Sequence, residues 1–313
     1  MKKRLLAAAV AASLSLPMAV AMAAPVEFDG SAELHYQWDT ADGAPDKEAA
    51  RNTIIVNAKT ALDENIDVYA RLAVQRYHGA PISADFDFDS KGKSTATIDR
   101  YGFILKSDNG TYTLGRQGGT IGANALLYST DGNIGSYDAI DGLSGVITTG
   151  VTELQFLAGQ ETGGDNKLYS LHAGYQPAEN WTLGATLAKY DNKDGTFDSS
   201  KHWAVDTSYA HGPTTYFAEY AKSDADNDNK AFVVGVSHDL DDKNSLSLSY
   251  AKVEEYGSIA GKTDFDTGLK GLYFGYDHKL TDNTTFSVAY SDLKAISGSD
   301  KSTSLETFVT YSF

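Results

Sequence analysis

The sequence ends Leu305-Glu306-Thr307-Phe308-Val309-Thr310-Tyr311-Ser312-Phe313. Side chains alternate across a strand with period two, so Leu305, Thr307, Val309, Tyr311 and Phe313 share one face. The same period recurs upstream. Leu246, Leu248 and Tyr250 alternate with Ser245, Ser247 and Ser249, and Leu272, Phe274 and Tyr276 alternate with Gly271, Gly275 and Asp277. Phe286, Val288 and Tyr290 oppose Thr285, Ser287 and Ala289, while Phe232, Val234 and Val236 oppose Ala231, Gly235 and Ser237. Each segment thus has an apolar face and a wet one. A soluble sandwich shows the same period, so alternation predicts β-structure and leaves the architecture open.

Segment length and spacing narrow the choice. The alternating segments run for about ten residues, the length a tilted transmembrane strand needs. Tight turns separate them at Asp63-Glu64-Asn65, Asp108-Asn109-Gly110, Ala178-Glu179-Asn180, Gly212-Pro213-Thr214, Asp241-Asp242-Lys243-Asn244 and Thr281-Asp282-Asn283, with a weaker turn at Gly150. Between the turns lie longer polar segments, among them Thr40 to Ala50, His78 to Thr95, Tyr190 to Lys201 and Ser223 to Asn229. Short turns on one side and long loops on the other are the asymmetry of outer-membrane barrels. About seven turns and eight loops imply roughly sixteen strands.

Composition agrees. Mean hydropathy is −0.33, too polar for a bundle of helices that each need about 20 apolar residues. A barrel tolerates a polar average because alternate residues face its interior. At the N-terminus, Lys2, Lys3 and Arg4 precede an apolar stretch from Leu5 to Val20, and Ala21-Met22-Ala23 forms a small-x-small site. This pattern predicts a secretory leader over residues 1–23, with the barrel domain spanning 24–313 and Ala24 as first residue of the mature chain. There is no cysteine, so an exported chain must find its stability elsewhere than in disulfides. Formal charge is −16. Without the leader's three basic residues, 23 Lys and Arg face 42 Asp and Glu, a balance of −19. That excess argues against nucleic acid as a partner.

The C-terminal strand resembles the terminal signature by which outer-membrane barrels are recognised for insertion, which implies a partner in the insertion machinery. A second resemblance is carried by Arg100-Tyr101-Gly102-Phe103, the turn at Asp108-Asn109-Gly110, and Thr113-Leu114-Gly115-Arg116-Gln117. These look like the paired strands of Gram-negative general diffusion porins just before their constriction loop, and the overall pattern covers the whole mature chain. The resemblance implies an all-β transmembrane antiparallel barrel of about 16 strands with an inward-folded third loop. It further implies a homotrimer in the outer membrane, against lipid and lipopolysaccharide, passing small hydrophilic solutes and ions. The loop His78 to Thr95 would then reach a neighbouring subunit.

On this resemblance the segment Gly118 to Asp141 is the inward loop. Gly118, Gly119, Gly122, Gly132 and Gly135 permit tight backbone paths, and Asp131, Asp138 and Asp141 supply negative charge. The familiar acidic motif of the family is not reproduced letter for letter. Parity supplies the opposing basic wall. Val68, Ala70, Leu72 and Val74 outward place Tyr69, Arg71 and Gln75 inside, Ile54, Val56 and Ala58 outward leave Lys59 inside, and Tyr101, Phe103 and Leu105 outward leave Arg100 inside. On the first strand Glu33, His35 and Gln37 are inside. Arg116 shares parity with Tyr112 and Leu114, so it joins the wall only if an irregularity at Gly115 turns it inward; otherwise it sits above the lipid band. Trp181, Trp203, Tyr175 and Tyr273 read as an interface girdle.

Other signals are weaker. Asp85, Asp87 and Asp89, and Asp224, Asp226 and Asp228, alternate in loops but lack the glycine and glutamate of a helix-loop-helix calcium site. Gly118-Gly119-Thr120 is no phosphate-binding loop, and the seven histidines show no metal-binding spacing, so no metal or cofactor is expected. A barrel enzyme would need a positioned nucleophile and base, and no such motif is visible. An adhesin would need longer or stickier loops. A substrate-selective channel stays open beside the passive one.

Overall fold

A computed structural model describes residues 24–79, 94–132, 134–135, 139–193, 195 and 198–313. The leader (1–23), Asp85, Asp87, Asp89 and Asp138 lie outside the described residues, as does most of the His78–Thr95 loop. The first strands are β1 (Glu27–Ala41), β2 (Lys47–Asp63), β3 (Ile66–Gly79), β4 (Ser94–Ser107) and β5 (Gly110–Gln117). Two short strands follow inside the next loop, β6 (Thr120–Ile121) and β7 (Tyr128–Ser129). The wall resumes with β8 (Ile140–Thr149), β9 (Thr152–Glu161), β10 (Lys167–Ala178), β11 (Trp181–Asp191), β12 (Ser200–His211) and β13 (Thr214–Ser223). It ends with β14 (Lys230–Asp239), β15 (Asn244–Val253), β16 (Leu269–Thr281), β17 (Thr284–Ala295) and β18 (Lys301–Ser312).

All strands except β6 and β7 form one closed antiparallel barrel, each paired with its neighbours in chain order. That makes sixteen strands, the number expected from turns and loops. The quoted C-terminal segment closes the ring. Leu305 pairs with Trp38, Val309 with Leu34 and Tyr311 with Ala32, and the backbones of Gly30 and Phe313 exchange both hydrogen bonds, at 3.0 and 3.1 Å. Closure removes the unpaired edges that an open sheet exposes.

The alternating faces fall as the period requires. Leu34 is 59% exposed and Leu187 65% exposed, yet these residues lie on regular strands. An apolar exterior of this kind is stable only against hydrocarbon. The strands are longer than the apolar band: β1 has 15 residues and β2 has 17. Both run into the Thr40–Ala50 segment read from sequence as a loop, because ladder bonds continue past the last apolar side chain. Trp181, Trp203 and Tyr175 are exposed as a girdle would be. Tyr273 is not part of it. Its strand neighbours Leu272 and Phe274 point outward, so Tyr273 points into the barrel, where its hydroxyl bonds Asp266.

Inside, small residues make room. Ala204, Ala221, Ala231 and Ala251 are buried on β12 to β15, and the inward loop Gly118–Ala139 packs into that space. Its Ile121, Leu126, Leu127 and Tyr128 form one apolar cluster with wall residues such as Leu157 and Val233. Burying each of the larger side chains contributes about 1.5–3 kcal/mol, enough to hold a loop in a wet lumen.

Candidate functional site

The inward loop is pinned at three places by charge. On the β3–β4 side, Arg71 donates from Nε and Nη2 to the two carboxylate oxygens of Asp99 at 2.8 and 2.6 Å, and Asp99 Oδ2 also accepts the Gly135 backbone N–H at 2.9 Å. Next to it, Arg100 Nη2 donates to the backbone oxygen of Asp131 at 2.5 Å, while Nη1 lies 3.7 Å from Asp131 Oδ1. On the far wall, buried Glu219 accepts the Asn124 backbone N–H at 2.7 Å and its side-chain amide at 3.2 Å. Gly122 is required there. Its φ is +92°, and a Cβ would stand 2.2 Å from Glu219 Oε1.

The third pin is a buried carboxylate, Glu161. It accepts the Tyr128 hydroxyl at 2.8 Å, the Tyr190 hydroxyl at 2.9 Å, Lys262 Nζ at 2.8 Å and the Asn166 amide at 3.4 Å. Lys262 belongs to a second inward segment, the connection between β15 and β16. Its backbone bonds the first loop directly: Ile259 N–H reaches Leu127 O at 2.8 Å, and Ser129 N–H reaches Lys262 O at 3.0 Å. Two loops therefore share one core within the lumen, with Ile259 fully buried in it.

Two cavities flank them. One, of about 850 Å³, lies on the short-turn side and is lined by Arg71, Arg100, Asp131, Gln117 and His172 among others. The other, of about 950 Å³, lies on the long-loop side, where Asp39, Asp264, Asp266 and Glu306 outnumber Lys47. Burial pushes the Asp264 carboxyl above the ordinary range, with a bond from Ser129 opposing and the charge of Asp131 adding to the shift. Asp266 is raised in the same way, by burial against an opposing bond from Tyr273, with Asp39 and Glu306 adding repulsion.

The sequence-predicted residues separate into three groups. Arg71, Arg100 and Asp131 come together at the loop. Lys59 faces inward but stands at the short-turn mouth, 3.4 Å from Glu27 and away from the loop. Arg116 and Asp141 are not in the lumen. They are register partners of each other, and Arg116 also pairs with Tyr101, an outward residue whose ring carries the guanidinium at 5.4 Å. Arg116 Nε and Nη2 bond Asp141 at 2.9 and 2.8 Å. Gly115, at φ +140° with a Cβ position 2.4 Å from Tyr101 O, lets β4 and β5 approach closely without turning the next residue. The loop likewise ends before Asp141, which is already on β8. Sequence reading missed Asp99, Glu161, Glu219 and the second inward segment.

With the geometry in place, comparison places the chain. The family model for Gram-negative porins matches residues 6–295. The chain belongs to the Gram-negative porins. Among solved structures, a loop-deletion mutant of OmpT, an outer membrane protein of Vibrio cholerae, superposes with a TM-score of 0.61 at 14% identity, covering 92% of this chain and 99% of that one. A triple mutant of the Rhodopseudomonas blastica porin gives 0.60 at 11% identity, covering 92% and 100%. At such identities the likeness speaks for the fold. Comparison with curated proteins gives no match. This porin is an outer-membrane β-barrel channel, with both inner loops inside its lumen.

Proposed function

We propose that this porin passes small hydrophilic solutes and ions passively, through a constriction between the β3–β4 wall and the pinned loop. The observation that carries the reading is the loop anchored from both walls, with a charged cavity on each side. Arg71, Arg100 and Asp131 would set the charge at the narrowing, and the acidic long-loop cavity would favour cations. We take the mature chain to begin at Ala24 and to assemble as a trimer, in line with its family. Mass spectrometry of outer-membrane material that retained Met1 would refute the first point, and unheated protein migrating as a monomer would refute the second.

Planar-bilayer recording in a salt gradient tests the main proposal. Stepwise or steady ohmic current with a reversal potential on the cation side is expected at neutral pH. Because the Asp264 and Asp266 carboxyls are raised, they take up protons at higher pH than exposed carboxylates. Cation preference should therefore begin to fall above the ordinary carboxylate range as pH is lowered. The double variant Asp264→Asn, Asp266→Asn should lose that early phase. A wild-type reversal potential flat down to the ordinary carboxylate range would contradict it.

A further inference from the structure

The cavity on the long-loop side is ordered along one direction. Register sets five side chains in a straight row across the wall: Asp39 pairs with Ser304, Ser304 with Ser291, Ser291 with Tyr273, and Tyr273 with Ser249. Directly paired residues of an antiparallel ladder share a face. Here it is the inner one, because Leu248, Phe274 and Tyr290, of opposite parity, are exposed outside. Neighbouring strands lie about 4.8 Å apart, so the row is about 19 Å long. A second row runs beside it through Gln37, Glu306, Ala289, Gly275 and Ser247. The small side chains of Ala289 and Gly275 in its middle leave a trough next to the hydroxyls.

Carboxylates flank the trough from two sides. Asp39 and Glu306 stand at its β1–β18 end. Asp264 and Asp266 reach it from the inner segment between β15 and β16. There the Tyr273 hydroxyl donates to Asp266 Oδ2 at 3.2 Å and accepts the Asp266 backbone N–H at 3.1 Å, which fixes the loop over the row. Lys47, beyond Asp39 in the first row, is the one lysine or arginine among the described lining residues. The acids do not converge on a point: among the described residues no three His, Asp or Glu side chains are placed to hold a metal ion. On the floor between them, Ser304 Oγ is shielded yet has no hydrogen-bond partner among the described residues, whereas shielded polar groups ordinarily have one.

A long hydroxylated floor with anions on two sides selects for shape and charge together. An inorganic cation uses neither the length nor the hydroxyls, and a neutral sugar leaves the carboxylates unmatched. A solute with ammonium groups at two separated places, and hydroxyls between them, matches all three features. The cavity of about 950 Å³ lies within the range of about 300–1,000 Å³ that small-molecule pockets occupy. We propose that this trough is a binding subsite for amino sugars carrying two ammonium groups, occupied on the long-loop side before the solute reaches the constriction. Asp39 and Glu306 receive one ammonium, Asp264 and Asp266 the other, and Ser249, Ser291 and Ser304 meet the hydroxyls. The subsite rests on the reading of the chain as a diffusion channel and gives its outer cavity a solute class.

The test records single-channel current through the full mature chain at neutral pH, with a probe added on the long-loop side. Three probes separate the features: the β-linked dimer of glucosamine, cellobiose as the same skeleton without amines, and octamethylenediamine as two ammonium groups without hydroxyls. The glucosamine dimer should interrupt the current with a dissociation constant about tenfold or more below that of either other probe, since losing a hydrogen bond to a charged group costs about that factor. The double variant Asp39→Asn, Asp266→Asn should weaken the glucosamine dimer and the diamine and leave cellobiose unchanged. Ser291→Ala, Ser304→Ala should weaken the glucosamine dimer and leave the diamine unchanged. Cellobiose or the diamine binding as tightly as the glucosamine dimer, or undiminished dimer binding by both double variants, would overturn the subsite. The comparison of probes needs no variant to fold. A wild-type channel that conducts ions but does not discriminate the probes overturns the subsite alone, whereas a chain that carries no current overturns the channel reading beneath it.

Discussion

Replacing Glu161 by Ala is expected to loosen both inner loops while leaving the barrel wall intact. The carboxylate is 3% exposed and collects donors from four separate segments: Tyr128 of the inward loop, Tyr190 of β11, Lys262 of the β15–β16 connection, and Asn166 beside its own strand. Charge-assisted bonds of this sort are about twice as strong as neutral ones. Removing the acceptor strands an ammonium and two hydroxyls against an apolar cluster, at a cost of about 3–5 kcal/mol when a buried pair is broken. Burial of Leu126 and Leu127 contributes a comparable amount, about 1.5–3 kcal/mol each. The loop should then exchange between docked and undocked states. Expected readouts are noisier open-channel current and faster protease cleavage within residues 118–139, with unchanged heat-induced gel mobility because no ladder bond is lost. Glu161→Gln keeps an acceptor for the tyrosines and should act more weakly, at about 1–3 kcal/mol. If Glu161→Ala shows quiet current and intact loops, this knot is not what holds them.

The wall was legible in the sequence because each of its rules is local. Period two assigns faces, and Asp-Asn-Gly or Gly-Pro at fixed spacing assigns turns. All seven tight turns fall between the strands they were expected to separate. What failed depends on one inserted residue or on contacts far apart in the chain. Counting outward from Tyr101 puts Arg100 inside, as found. Ile98 is also exposed outside, however, and the β3–β4 register shifts between Arg71 and Leu72. Asp99 and Arg100 thus both point inward across a bulge, and no residue type there marks it. Arg116 shows the opposite error, since glycine before it suggested a turn inward that ladder pairing with Tyr101 and Asp141 prevents.

The second inward segment was harder to see. Ile259, Ala260 and Phe265 are apolar residues in an otherwise polar connection, and that was the available signal. The segment's bonding partners lie about a hundred or more positions away in the chain: Leu127 for Ile259, Ala125 for Thr263 and Asp264, and Glu161 for Lys262. Periodicity carries no information over such separations. Glu219 was readable as inward by parity on β13, but its partner Asn124 was not, for the same reason.

Arg100→Ala should give the largest shift of selectivity of any single substitution in the lumen. Arg100 neutralises Asp131 at 3.7 Å, and two unit charges about 4 Å apart interact by about 4 kcal/mol at an effective dielectric of about 20. Without the guanidinium, the Asp131 carboxylate faces the 850 Å³ cavity unopposed, and the reversal potential should move towards cations. Asp131→Asn should move it the other way. Arg71→Ala is a different experiment, because its partner Asp99 is fully buried and also holds the Gly135 N–H. Removing Arg71 breaks a buried pair that orients the loop's anchor, so the main effect falls on loop anchoring. Charges outside the lumen should be silent. Arg116→Ala and Asp141→Asn alter an outer-face pair, and Asp226→Asn alters a loop tip that salt screens over about 8–10 Å. Equal reversal-potential shifts from Arg116→Ala and Arg100→Ala would place the selective charges on the wrong side of this wall.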